Sequence, residues 1–306
     1  MRPSTLSAVL LTGIITLVSS PAWSAEPTKA EQYCGTQIPP DEAIGFVPLP
    51  EGDVFCPLIA DPKAIHSFVS YVRGSSTSAL GTDLGSVGVG DRYAIARWGG
   101  PTPGEGVQVG IEGAIFAQFD LNTPSYDLVN ADYLAGVPLT LRRKWCSARI
   151  RVYHQSSHLG DEYLLRSHIT RENLAYESLE GILSIDARAL RIYAGGEYLF
   201  NGQPSSIETQ LVHGGVELRQ RGPLTGGGGL ANVRFVAGAD VKAVETLDWE
   251  LGWSARAGFE VSSARRSAHA SRSWSLVAEY YDGPSPYGQF FRSDVTYFGA
   301  GLHLAP

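Results

Sequence analysis

Beyond residue 65, apolar and polar positions alternate one for one, the period of a strand with two unlike faces. Residues 106–121 (GVQVGIEGAIFAQFDL) put Val107, Val109, Ile111, Gly113, Ile115, Ala117, Phe119 and Leu121 on one side. Gln108, Gly110, Glu112, Ala114, Phe116, Gln118 and Asp120 fall on the other. Residues 247–262 repeat the pattern, with Trp249, Leu251, Trp253, Phe259 and Val261 set against Asp248, Glu250, Ser254, Arg256 and Glu260. Such runs predict strands near 65–73, 88–99, 106–121, 131–143, 146–158, 173–186, 189–201, 209–220, 230–241, 247–262, 272–282 and 293–304.

These runs exceed the roughly 5–6 residues usual in soluble sheets and match the roughly 9–11 that cross a bilayer at a tilt. One face suits hydrocarbon and the other suits water. Hydrocarbon tolerates no unpaired backbone group, so a sheet placed there must close on itself. The expected fold is therefore all-β: an antiparallel transmembrane β-barrel of twelve strands, spanning residues 65–306. With both termini in the periplasm, the connections 74–87, 122–130, 159–172 and 283–292 face outward. Composition agrees, with only 18% charged residues and 35 Gly, 14 Tyr, 11 Phe and 6 Trp. The formal net charge of −7 argues against nucleic acid as a partner. The partners of such a chain are outer-membrane lipid and the barrel-assembly machinery, although it ends Leu304-Ala305-Pro306 without the terminal aromatic usual in bacterial barrels.

The N-terminus reads as a secretory signal peptide over residues 1–24: Arg2, the apolar run 8–18, then Ala22-Trp23-Ser24. That run is shorter than the roughly 20 residues of a spanning helix. Export leaves a soluble exported protein or a membrane barrel, and the strand pattern and composition favour a barrel in the outer membrane of a Gram-negative envelope. Residues 25–64 carry prolines and no long alternation, so they read as a periplasmic or lumen-plugging extension. Of the three cysteines, Cys34 and Cys56 are the plausible disulfide in an oxidising compartment, closing a loop worth roughly 3 kcal/mol. The alternative is three free thiols.

The chemistry gathers in RVYHQSSHLGDEYLLR, residues 151–166. Arg149 and Arg151 share one face of their strand and belong in the watery lumen, because Arg facing lipid at mid-membrane costs about 2–4 kcal/mol. Period two then sends Ile150, Val152, His154, Ser156 and His158 to the lipid face, near the outward end. A Ser hydroxyl becomes a nucleophile when a neighbouring His takes its proton and a third group orients that His. His154 is the candidate base and Ser156 the candidate nucleophile. Glu177, the carboxylate on the apolar face of the next strand, is the candidate third member, with Asp161 or Glu162 as alternatives. A second reading makes His154, His158, Asp161 and Glu162 a divalent-metal site, for which loop carboxylates suit calcium. Calcium would also serve an esterase by polarising the scissile carbonyl. A third reading has no chemistry: Tyr153 and Tyr163 anchor the strand at the interface and the polar residues tie down a loop. The segment 280–289 (YYDGPSPYGQ) likewise reads as a lid over the barrel mouth or as a tight aromatic turn.

The His-x-Ser arrangement at the outward end of a barrel strand resembles that of outer-membrane phospholipase A and of the lipid A deacylase barrels. That resemblance implies a serine esterase acting on acyl chains from the lipid-facing wall, with His154 as base and Ser156 as nucleophile. Here Ser157-His158-Leu159-Gly160-Asp161 follows the Ser in place of the Asn-Gly turn those families favour. Four stretches, CPLIADPK (56–63), YHQSSHLGDEYLLR (153–166), EYYDGPSPYGQFFR (279–292) and GAGLHL (299–304), resemble an uncharacterised family of Gram-negative outer-membrane barrels. Two functions follow as expectations: an envelope barrel acting on outer-leaflet phospholipid or lipid A, or a structural or small-solute-passing barrel with no chemistry.

Overall fold

The computed structural model describes residues 45–74, 82–101, 104–169, 171–224, 231–263 and 273–305. The expected signal-peptide segment, residues 1–24, and Cys34 lie outside the described residues. Among these, thirteen strands form one sheet: β1 (Gly45–Pro48), β2 (Ser67–Gly74), β3 (Asp83–Gly99), β4 (Gly106–Asp120), β5 (Leu128–Arg143), β6 (Cys146–Leu159), β7 (Leu174–Ala187), β8 (Leu190–Gln203), β9 (Gln210–Arg219), β10 (Ala231–Val244), β11 (Leu251–Ser263), β12 (Ser273–Pro284) and β13 (Asp294–Ala305). Strands β2 to β13 pair antiparallel with their chain neighbours, and β13 returns to β2, closing a twelve-stranded barrel. The extra strand, β1, lies against residues 96–99 of β3, on the same edge that β2 occupies at residues 83–88. Between them the hydroxyl of Ser67 serves both the N–H and the carbonyl of Gly90, which have no strand partner on that edge.

Side-chain parity follows the sequence pattern closely. In β6, Arg149, Arg151, Tyr153, Gln155 and Ser157 are buried, while Ile150, Val152 and His154 are exposed. Exposed aromatics form two belts: Trp98, Trp145 and Trp274 at the end where 144–145 turns, and Tyr71, Tyr133, Tyr198, Trp253 and Tyr280 at the other. Inside, ion pairs stand beside small clusters of buried apolar side chains. Arg151 bridges Glu112 and Glu180 at 3.0 and 2.6 Å. Arg149 also holds Glu180, at 2.7 Å, and Arg142 pairs with Asp186. A buried charge is tolerable only when paired this way.

The segment 50–66 leaves the wall between β1 and β2 and crosses the lumen. Its backbone carbonyls accept from inward side chains around the barrel: Val54 from Arg142, Cys56 from Arg191, Ala60 from Ser254 and Ile59 from Arg256. Ile59 N–H donates to Glu217. Val54, Phe55, Cys56 and Ala60 are almost wholly buried. Cys56 is disulfide-bonded, and Cys146 is a free thiol on β6. The barrel's arginines thus satisfy carbonyls that an irregular segment could not pair by itself.

Four features differ from the sequence pattern. β3 begins at residue 83, because glycines at 85, 88 and 90 hide its alternation. Gly88 is required there, since a Cβ would lie 2.2 Å from the Phe68 ring that packs over it. β11 begins at Leu251, because residues 245–247 form a single 3₁₀ turn and Asp248 and Trp249 take left-handed φ of 51° and 62°. Residues 161–167 form a two-turn helix, α1 (Asp161–Ser167), too short for a helical period to show; its buried Tyr163 packs edge-on against Phe290. The four residues of β1 are too few to show alternation.

The lumen network predicts a sharp contrast between neighbours on β6. Arg151→Met leaves Glu112 without its cation and Glu180 with Arg149 alone, and should destabilise the barrel by about 3–5 kcal/mol. Val152→Ala, one residue along on the lipid wall, should cost about 1 kcal/mol. Denaturant unfolding from lipid vesicles measures both.

Candidate functional site

The outer wall carries the residues singled out by sequence. His154 and Ser156 stand two apart on β6, on the face shared with Ile150 and Val152. Glu177 on β7 is the cross-strand partner of His154, and Ala175 is that of Ser156. The register thus sets Glu177 opposite the candidate base and two residues along from the pair that holds Ser156. His154 Nδ1 and Glu177 Oε1 lie 3.2 Å apart, with side chains about half and one-third exposed. Nδ1 is thereby engaged and Nε2 is the free ring nitrogen. Ser156 is half-buried and makes no hydrogen bond to His154 in this state. Across β5, Ser156 pairs with Tyr133, a member of the aromatic belt, so the three residues sit at belt height.

The other candidates are placed apart. His158 Nδ1 takes a 2.8 Å hydrogen bond from Arg171, and its ring meets Tyr133 edge-on. Asp161 and Glu162 are exposed in the first turn of α1. The donor atoms of His158, Asp161 and Glu162 do not converge on a common point; among the described residues the donor set that does is Glu180, Glu197 and His213, inside the lumen.

The inner face of the same motif has a separate task, which sequence reasoning missed. Ser157 Oγ bonds to Asp132 and to Asn130, the latter at 3.0 Å. Asp132, with no exposed surface, also takes the Lys63 ammonium and the Gly288 N–H at 3.0 Å. Lys63 lies 4.6 Å from the ring centres of both Phe116 and Tyr287. Burial pushes the Tyr287 phenol up, so the ring over the ammonium stays neutral. Gln289 donates to the carbonyls of Ser157 and Glu172 at 2.8 and 2.9 Å. Three of the quoted stretches, 56–63, 153–166 and 279–292, thus meet at one node. The signal was present in the inward parity of Asp132 and Ser157, but which distant segment would reach them is a tertiary fact. Residues 284–288 also roof a lumen cavity of about 140 Å³, with Leu134, Leu199 and Leu211 on its walls and Lys63, Glu197, Asp240 and Lys242 among its polar groups.

The closed antiparallel barrel places the chain in the structural class of outer-membrane β-barrels that share the outer-membrane phospholipase A fold. Outer membrane phospholipase A from Escherichia coli has the same fold, with a TM-score of 0.51, 13% identity, and 80% of this chain and 93% of that chain covered. The outer membrane phospholipase dimer of Salmonella typhi, whose structure holds calcium, gives a TM-score of 0.50 at 12% identity, covering 80% of this chain and 94% of that one. The chain belongs to the family described as "Protein of unknown function (DUF1207)", which matches residues 16–305. No curated protein matches the sequence.

The inner node predicts coupling between plug and wall. Lys63→Met should cost about 3–5 kcal/mol by stranding the Asp132 carboxylate in a dry site. Adding Asp132→Asn should recover much of that loss. A thermal or denaturant double-mutant cycle reads the coupling; additive effects would show that the pair does not fasten the segment.

Proposed function

We propose that this protein is an outer-membrane barrel whose lipid-facing wall carries a serine acyl-ester hydrolase, with Ser156 as nucleophile, His154 as base and Glu177 as orienting carboxylate. The observation that carries the reading is the 3.2 Å contact between His154 Nδ1 and Glu177 Oε1, on the same exposed face as Ser156 and at the height of the aromatic belt. A carboxylate on Nδ1 fixes the tautomer and leaves Nε2 to accept a proton, the division of labour a catalytic triad needs. The end bearing the longer connections faces outward, so the site meets the ester region of outer-leaflet phospholipid or lipid A.

In the reaction, a χ1 rotation of Ser156 brings Oγ to His154 Nε2. Oγ attacks the ester carbonyl as its proton passes to Nε2. The tetrahedral intermediate expels the alcohol, which leaves with that proton, and the acyl group stays on Ser156. Water, deprotonated by His154, then releases the fatty acid. Glu177 stabilises the imidazolium formed in both halves. Calcium, which the Salmonella typhi phospholipase structure holds, would serve by polarising the scissile carbonyl, and no step above depends on it. A solute-passing pore is the weaker reading, because residues 50–66 cross the lumen and bond to opposite walls.

Purified protein in mixed micelles, supplied with phospholipid or lipid A with and without calcium, should release fatty acid. Ser156→Ala and His154→Ala should each lower turnover at least ~10²-fold, and Glu177→Ala by about 10-fold or more. Release that survives Ser156→Ala undiminished would remove the hydrolase reading.

A further inference from the structure

Three side chains that the wall site does not use meet inside the lumen. Glu180 on β7, Glu197 on β8 and His213 on β9 each bring one donor atom within 4.8 Å of the others. Glu180 lies directly across from Glu197, and His213 is across from Gly195, two residues before Glu197. The three therefore step across neighbouring strands on one face. All are buried, and the His213 side chain has no exposed surface.

Two observations point this cluster towards a cation. The first is the ring itself: neither nitrogen of His213 makes a hydrogen bond, although the ring is fully enclosed. The carboxylate oxygen Asp240 Oδ2 lies 3.6 Å from Nδ1, beyond hydrogen-bond reach. Buried polar groups are ordinarily bonded, and an exception calls for an explanation. The second is charge. Arg149 and Arg151 are committed to Glu180, Arg151 also to Glu112, and Lys242 to Asp61 at 3.4 Å. Glu197 and Asp240 have hydroxyl partners instead: Glu197 takes Tyr153 and Ser178, and Asp240 takes Tyr193 at 2.6 Å. Two buried carboxylates with no ammonium or guanidinium bonded to them thus flank an imidazole with no hydrogen bond.

We propose that a divalent first-row cation of the zinc class binds here, with His213 and Glu197 as principal ligands, Glu180 as the third and Asp240 beside them. One imidazole with carboxylates suits zinc or manganese, whereas calcium asks for six to eight oxygens. The ion adds positive charge beside Glu197 and Asp240, whose bonded partners are hydroxyls. Each Glu180 oxygen accepts one guanidinium bond and keeps a lone pair for the metal. The arginines fix that carboxylate in place, as groups behind a ligand do. Metal–ligand bonds of about 2.0–2.2 Å put donors roughly 3–4 Å apart, so the side chains close by about an ångström on binding. Glu197 and Asp240 both line the lumen cavity, which gives the ion a route in. The site lies on the opposite face of the wall from His154 and Ser156, and its test is independent of hydrolysis.

The full-length protein, purified in detergent and stripped with a chelator, is dialysed against ZnCl₂ or MnCl₂ and its metal content measured by mass spectrometry. The expected result is one tightly held ion per chain, with zinc-edge X-ray absorption showing imidazole nitrogen and oxygen scatterers. His213→Ala and Glu197→Gln should each weaken binding at least ~10-fold. His168→Ala, an exposed histidine after α1, should leave it unchanged. Undiminished binding in His213→Ala, or a zinc shell without imidazole, overturns the proposal. If the lumen variants fail to fold, the wild-type absorption spectrum decides it.

Discussion

Everything in this barrel depends on where its arginines point. A strand in hydrocarbon has one face for lipid, and a guanidinium there is costly, so Arg149 and Arg151 bind β6 to a single register. Once they meet Glu180 and Glu112 in the lumen, the intervening residues have no choice of side. His154 and Ser156 stand outside because their neighbours must stand inside. The polar interior then needs countercharges and carbonyls, and the segment 50–66 supplies carbonyls to three strands at once.

One stretch of sequence consequently serves two environments. In residues 153–159 the even positions form the wall site, and the odd positions fasten plug and roof through Ser157. A conspicuous local motif need not be wholly catalytic. Half of this one is explained by Lys63, Asp132 and Gln289, with no reaction involved.

The barrel was legible in the sequence because period two reports directly on a wall with two solvents. Each of the twelve segments from 65 onward appears as a strand, within a few residues, except where glycine erased the alternation of β3 or left-handed residues delayed β11. The wall candidates were legible for the same reason, since parity places side chains without knowledge of the fold. Register was not: whether Glu177 faces His154 or Ser156 depends on a connection of a dozen residues, whose geometry no local rule sets. Nor could period reveal that His213, Glu197 and Glu180 meet, because each is an ordinary inward residue of its own strand. Scattered single histidines carry no local signal of convergence.

The path of residues 50–66 also constrains how the molecule is put together. The segment passes directly into β2, and β2 is the strand against which β13 is finally laid. The strand that carries the strap out of the lumen is thus also one side of the seam, so seating the strap and closing the cylinder engage the same backbone.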